Sequence, residues 1–258
     1  LRDVVLFPLM KPRGEQSELS VTPGKTEKTQ KTQRKNSSGS SESFESPDSL
    51  GSISHSPPAS PNPQLLQHTT YGHFLPAAHG LLMEHAKQTR AHLVATGAAM
   101  EALAKHFGGD SATWKVAGML HDLDWDHLDK DYEKHCGGPL ETMLSSIKAP
   151  EELLGDIRAH YASKYGAEYP LDTALRKCLY CVDELTGFII AVTLVRPSKK
   201  LADVEVKSIT KKMKDKAFAA QVDRAQIMQC EKLLGIPLDA FVRITLDAMK
   251  GVATEIGL

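Results

Sequence analysis

The sequence predicts an all-α protein, and three observations predict it. Apolar residues recur at helical spacing from residue 91 to the C-terminus; glycines, prolines and capping residues fall where those segments begin and end; and no alternating strand pattern with turn signals occurs. AHLVATGAAMEALAKHF (91–107) sets Leu93, Ala95, Ala98, Ala99, Ala102, Leu103 and Phe107 near one helical face, and Gly108-Gly109 stops it. Asp110 or Ser111 caps the next helix, SATWKVAGMLHDL (111–123). CGGPLETMLSSI (136–147) puts Pro139 in a first turn, where its missing amide hydrogen costs nothing. APEELLGDIRAHYASKYG (149–166) opens with Pro150 and two glutamates that suit the positive end of a helix dipole. LDTALRKCLYCVDELTGFIIAVTLV (171–195) reads as one long, very apolar helix, and residues 218–236 and 237–256 as two more.

The first part of the chain has different physics. Between Asn36 and Ser60, 11 of 25 residues are serine, and prolines recur. Such a segment buries too little apolar surface to offset the entropy of ordering, so residues 13–70 are expected to be a disordered linker, with 71–258 the helical domain. The Ser46-Pro47, Ser56-Pro57 and Ser60-Pro61 pairs suit phosphorylation but are common in such tracts. The 258-residue chain has a net charge of −1, which argues for no nucleic-acid partner. No run of about 18 apolar residues predicts a membrane span. The apolar start is broken by Pro8 and does not read as a signal peptide. Four cysteines, Cys136, Cys178, Cys181 and Cys230, are too sparse for a disulfide framework, so a cytoplasmic, reduced setting is expected.

GMLHDLDWDHL (118–128) crowds two histidines and three aspartates behind an apolar helix. Adjacent helical residues point about 100° apart. His121 and Asp122 can therefore share an ion only at a helix end, with further ligands from other helices. His92, His135, His160 and Asp183 are the candidates, one in each of the remaining segments. Imidazole and carboxylate together suit Mn²⁺, Fe²⁺, Zn²⁺, Ni²⁺ or Mg²⁺, as one ion or two. Asp183 lies in the most apolar helix, where an unpaired carboxylate costs several kcal/mol. Asp124 is the better of Asp124 and Asp126 for orienting a ligand or water, and is placed with Asp122 as a catalytic candidate. His79, His85, His106 and His127 read as solvent-facing. Cys178 and Cys181 read as core residues one turn apart. The lysines from 199 to 216 read as a solvated face, from which Arg196, Lys207 and Lys211 are the candidates to clamp a substrate phosphate.

The stretches AGMLHDLDW (117–125), VDELTGFIIAVTLVRP (182–197) and VEVKSITKKMKDKAFA (204–219), with the spaced histidines, resemble the HD superfamily of metal-dependent phosphohydrolases. The likeness is to its bacterial predicted hydrolases of unassigned substrate and spans roughly residues 77–250. It implies a helical HD-type bundle in which His92, His121, Asp122 and Asp183 bind one metal. His135 and His160 match the added histidines of two-metal members. LRDVVLFPLMKP (1–12) resembles the C-terminal end of class II lysyl-tRNA synthetases, without their active-site motifs. It implies either a fusion downstream of a synthetase or a truncated or chimeric gene. The resemblances imply a phosphohydrolase acting on a nucleotide or other phosphate ester through a metal-activated water, a dinucleoside polyphosphate being one candidate. The alternative is a non-catalytic, metal-stabilised regulatory or docking domain appended to a synthetase.

Overall fold

The computed structural model describes residues 70–129 and 131–258, and among them there is helix and no strand. The expected all-α class holds. The synthetase-like residues 1–12, the serine-rich segment and its Ser-Pro pairs lie outside the described residues. The helices are α1 (Leu75–Leu82), α2 (Lys87–Phe107), α3 (Ser111–Leu120), α4 (Gly138–Ser146), α5 (Glu151–Arg158), α6 (Ala162–Tyr165), α7 (Ala174–Leu194), α8 (Val206–Met213), α9 (Arg224–Leu234), α10 (Leu238–Gly251) and α11 (Ala253–Ile256). No helix among the described residues is long and apolar enough to cross a membrane.

The bundle is organised around α7, which is buried from Leu175 to Thr193 with few breaks and packs against α2, α9 and α10. An all-round apolar helix of this kind must sit inside a bundle. Against α7 lies the α2–α3 hairpin. Gly108, in the left-handed conformation at φ 76°, ends α2, and the Asp110 side chain accepts a hydrogen bond from Thr113 N at 2.7 Å to begin α3. The two helices cross at glycines. A β-carbon on Gly97 would stand 2.6 Å from Met119 Cγ, and one on Gly118 2.8 Å from the Thr96 carbonyl oxygen. This close crossing brings the early part of α2 beside the end of α3.

The domain's first described residues are anchored. Tyr71 is buried, its backbone N–H donates to Thr113 Oγ1 at 2.9 Å, and its hydroxyl donates to Asp156 Oδ2 at 3.0 Å. Arg176 Nε donates to the other oxygen of Asp156 at 2.7 Å, so α5 and α7 are tied through one carboxylate.

Several expected boundaries shift, each for a physical reason. The helix expected over 149–166 is two, α5 and α6, and the break between them turns His160 inward. The helix expected from residue 218 starts at Arg224, capped by the Asp223 side chain. The preceding carbonyls are taken: the Arg224 guanidinium donates to the carbonyls of Met213, Asp215, Phe218, Ala219 and Val222, which holds that stretch as turns. Residues 237–256 break at Val252 into α10 and α11. Helices α1 and α8 were not expected. In α8, Ile209 and Met213 face the core while the lysines face outward.

A methyl group at Gly118 would press on backbone, which cannot swing aside. Gly118→Ala is expected to cost ~1–3 kcal/mol, read as a lower Tm, and to weaken metal uptake by separating α2 from α3. An unchanged Tm would show that the crossing has slack.

Candidate metal centre

Helix α3 ends at Leu120, and His121 is its C-terminal cap. Asp122 therefore leaves the helix in the following turn, and both residues of the doublet face the same interior point past the helix end. His92 comes from α2, Asp183 from the middle of α7, His135 from the segment before α4, and His160 from the break after α5. All six are buried, between 0% and 4% exposed.

The donor atoms fall into two sets joined by Asp122. In the first, His92 Nε2 and His121 Nε2 are 3.1 Å apart, and Asp183 Oδ1 lies 3.2 Å from the one and 3.3 Å from the other. Asp122 Oδ2 completes this set at 3.7 Å from His92 Nε2 and 3.5 Å from His121 Nε2. In the second, His135 Nε2 and His160 Nε2 are 3.2 Å apart, and Asp122 Oδ1 is 3.2 Å from each. Donors around one ion at about 2.0–2.2 Å are separated by about 3.0–3.5 Å, so both sets have the spacing of a coordination shell.

The outer nitrogens say which inner nitrogens carry lone pairs. His121 Nδ1 meets the Gly118 carbonyl at 2.8 Å, His160 Nδ1 the Ile157 carbonyl at 2.6 Å, and His135 Nδ1 the Asp124 carboxylate at 3.0 Å. These acceptors have no proton to give, so in each ring Nδ1–H donates. His92 Nδ1 meets Thr186 Oγ1 at 3.3 Å, and that hydroxyl donates to the Asp183 carbonyl at 2.9 Å. All four neutral imidazoles thus turn an Nε2 lone pair inward, the tautomer that a metal takes. Two such lone pairs 3.1 Å apart repel unless a cation or a proton lies between them. Asp122 Oδ1 makes the same point. It is buried without a well-formed hydrogen bond, 3.2 Å from Nε2 of both His135 and His160. The residues present therefore fit a divalent ion.

Without an ion, protons take the cation's place. Burial opposes a charge on His121, but Asp122 and Asp183 outweigh it and raise its pKa. Burial likewise opposes charge on His135, and Cys136, Asp122 and Asp124 raise its pKa well above the ordinary value. Burial would raise the pKa of Asp122, yet the histidines around it hold it well below the usual carboxylate range.

Asp124 is fully buried behind His135 and accepts the Cys136 N–H at 2.7 Å. That is an orienting position, with no face toward the centre's interior. Asp126 braces α2 from outside: it accepts from Ala86 N at 2.8 Å and Thr89 Oγ1 at 2.6 Å, where α2 has no cap of its own. His85, expected in solvent, is instead buried and 3.2 Å from Asp126 Oδ2, a correction that follows from this brace. His79, His106 and His127 are exposed, and Cys178 and Cys181 are core residues. Arg196 is not at the centre: Asp183 and Leu194 are already about 17 Å apart along α7, and Arg196 lies beyond, 3.4 Å from Ser208 Oγ. Lys207 and Lys211 are exposed on α8, and no hydrogen bond or ion pair joins them to the centre among the described residues.

Sequence reasoning missed Cys136, whose sulfur lies 3.4 Å from His135 Nε2, although its place beside a ligand candidate was a signal. It also missed Trp125 and Tyr161, whose rings lie 5.3 and 5.4 Å from that of His135. No family model matches the chain, and comparisons with curated proteins and with solved structures find no match.

The pKa directions set a pH dependence. Raised histidine pKa values stabilise the metal-free fold fully below about pH 6.5 and progressively less as pH rises through the folded values, while the Asp122 contribution is complete above about pH 4 and does not change there. Chelated protein is expected to lose Tm as pH rises above about 6.5, while metal affinity rises with proton release. Melting curves with and without chelator check this; a chelated Tm that climbs with pH contradicts it.

Proposed function

We propose that residues 71–258 form a metal-dependent phosphohydrolase domain of the HD type, acting on a nucleotide or another phosphate ester. The observation that carries this reading is Asp122, one buried carboxylate with each oxygen turned to a separate pair of imidazole nitrogens. A carboxylate shared in this way suits two ions side by side, the arrangement used for in-line attack at phosphorus. Bound divalent ions would supply Lewis acidity, lowering the pKa of a water and neutralising charge on phosphoryl oxygens.

The chain's own residues do the rest. His92, His121, Asp122 and Asp183 hold one site; His135, His160 and Asp122 hold the other. Thr186 and Asp124 fix the rings of His92 and His135, so that the donors need not reorganise. What little solvent access remains falls on the carboxylates, with 6% of the Asp183 side chain exposed against 1% or less for the four imidazoles, so a phosphate would approach on the Asp183 edge. Dinucleoside polyphosphates are a candidate substrate if the likeness of residues 1–12 to a lysyl-tRNA synthetase reflects an upstream fusion.

The same burial favours a second reading, a metal-stabilised docking domain without catalysis. A structural ion is enclosed by protein, whereas a catalytic ion keeps an open position. A panel of nucleotides and phosphate esters, each tested with Mn²⁺, Mg²⁺, Zn²⁺, Ni²⁺ and Fe²⁺, separates the two. The hydrolase reading expects turnover that falls ~10²-fold or more in Asp122→Asn, about 2.7 kcal/mol of barrier. His135→Ala and His160→Ala are expected each to lose one of two bound ions, measured by elemental analysis. Tight metal binding with no turnover of any ester supports the docking domain instead.

A further inference from the structure

Cys136 is placed unlike the other cysteines. Cys178 and Cys181 sit on α7 and Cys230 on α9, within helices. Cys136 lies between His135 and the start of α4, with its backbone at φ 58° in the left-handed region that side-chain-bearing residues rarely adopt. Both of its backbone polar atoms are held by side chains: its N–H donates to Asp124 Oδ2 at 2.7 Å, and its carbonyl accepts from Arg158 Nε at 3.0 Å. The turn so fixed puts the sulfur 3.4 Å from His135 Nε2, and Cys136, His135 and His160 offer donor atoms within 4.8 Å of one another. The thiol is fully buried.

A buried cysteine alone would mean little. The independent observation is Asp122 Oδ1, a buried carboxylate oxygen without a hydrogen bond, 3.2 Å from both imidazole nitrogens of the same group. The two imidazole nitrogens thus have the sulfur within reach on one side and this carboxylate oxygen on the other. With zinc–sulfur bonds of about 2.3 Å and zinc–nitrogen bonds of about 2.0–2.1 Å, ligating sulfur and nitrogen stand about 3.5 Å apart at the tetrahedral angle. The observed separation fits.

We propose that Cys136 is a thiolate ligand of the second ion, so the two halves of the centre differ in kind. The half built on His92, His121 and Asp183 offers nitrogen and oxygen alone. The half built on His135, His160 and Cys136 adds sulfur and therefore selects a thiophilic divalent ion, Zn²⁺, Fe²⁺ or Co²⁺, over Mg²⁺ or Mn²⁺. Binding deprotonates the thiol, and its proton leaves to the buffer as the metal–sulfur bond forms. The inference rests on the metal-centre reading above, and its test separates the two.

The test is titration of the metal-free full chain with Co²⁺, reading near-ultraviolet absorption and bound cobalt together. The expected result is a sulfur-to-cobalt charge-transfer band in the parent. It should be lost in Cys136→Ser, which keeps its shape and hydrogen-bonding capacity, and kept in Cys178→Ser, Cys181→Ser and Cys230→Ser. The chain has four cysteines, so retention in those three assigns the band to Cys136 even if Cys136→Ser folds poorly. Cobalt bound in any number without the band overturns the thiolate ligand and leaves the metal centre standing, as does a band that survives in well-folded Cys136→Ser or is lost in one of the other three. A parent that binds no cobalt overturns both.

Discussion

The structure depends on Asp122. Its carboxylate is buried, one oxygen faces His92 and His121, and the other faces His135 and His160. Each imidazole has already committed its other nitrogen to an acceptor. Such a cluster is unfavourable when uncharged, because its inward lone pairs repel. It favours cations: the neighbouring carboxylates raise the pKa of His121 and His135 despite their burial. Charges buried together in this way are desolvated, a pairing that seldom repays its cost in stability. A bound metal ion would relieve this cost, and its binding energy would then add to folding stability.

The surrounding bundle reads as the set of constraints needed to hold that cluster. The Gly97–Gly118 crossing lets α2 approach α3 closely enough for His92 and His121 to meet, and the Gly118 carbonyl then fixes the His121 ring. Along α7, Asp183 and Thr186 lie three residues apart and so share a face. Asp183 supplies a donor while Thr186 orients His92 and meets Thr96 Oγ1 at 2.9 Å. The alternating aspartates after α3 divide the remaining work. Asp122 faces the centre, Asp124 sits behind His135, and Asp126 caps α2 from outside. A solvated surface could tolerate such a run; here its three members face three different sets of neighbours.

Much of this was legible in the sequence, and the limits were physical. Long apolar periodicity revealed α2 and α7, and the doublet at a helix end with Asp183 in an apolar helix revealed the centre, because unpaired buried charge is too costly to be accidental. Short helices were less legible. Helix α8 has two buried apolar residues in a field of lysines, too few for a periodic signal. The start of α9 depends on Arg224 reaching back to five carbonyls, a long-range contact that local pattern cannot contain. His85 looked like a solvent residue for the same reason, since its partner Asp126 lies far along the chain. Arg196, expected to clamp a phosphate, lies beyond the end of α7 beside Ser208. Nearness in sequence to the last ligand became distance in space, because α7 runs straight past it.

Burial of the cluster does not by itself favour the docking reading, because the centre is not symmetric. The His135 half is closed: Trp125 and Tyr161 pack on that ring, and His135, Cys136 and His160 are at most 1% exposed. The His92 half borders Asp183, where the centre's remaining exposure lies. An enclosed site with a sulfur donor has the character of a structural site, and a nitrogen–oxygen site at an opening has that of a reactive one. If the centre holds two ions, the enclosed one would fix Asp122 by its Oδ1 and so set the position of Oδ2 in the other site. Under that division of labour, burial of the cluster ceases to count against catalysis. It becomes the means by which a single carboxylate is held rigid enough to serve the half that solvent can reach.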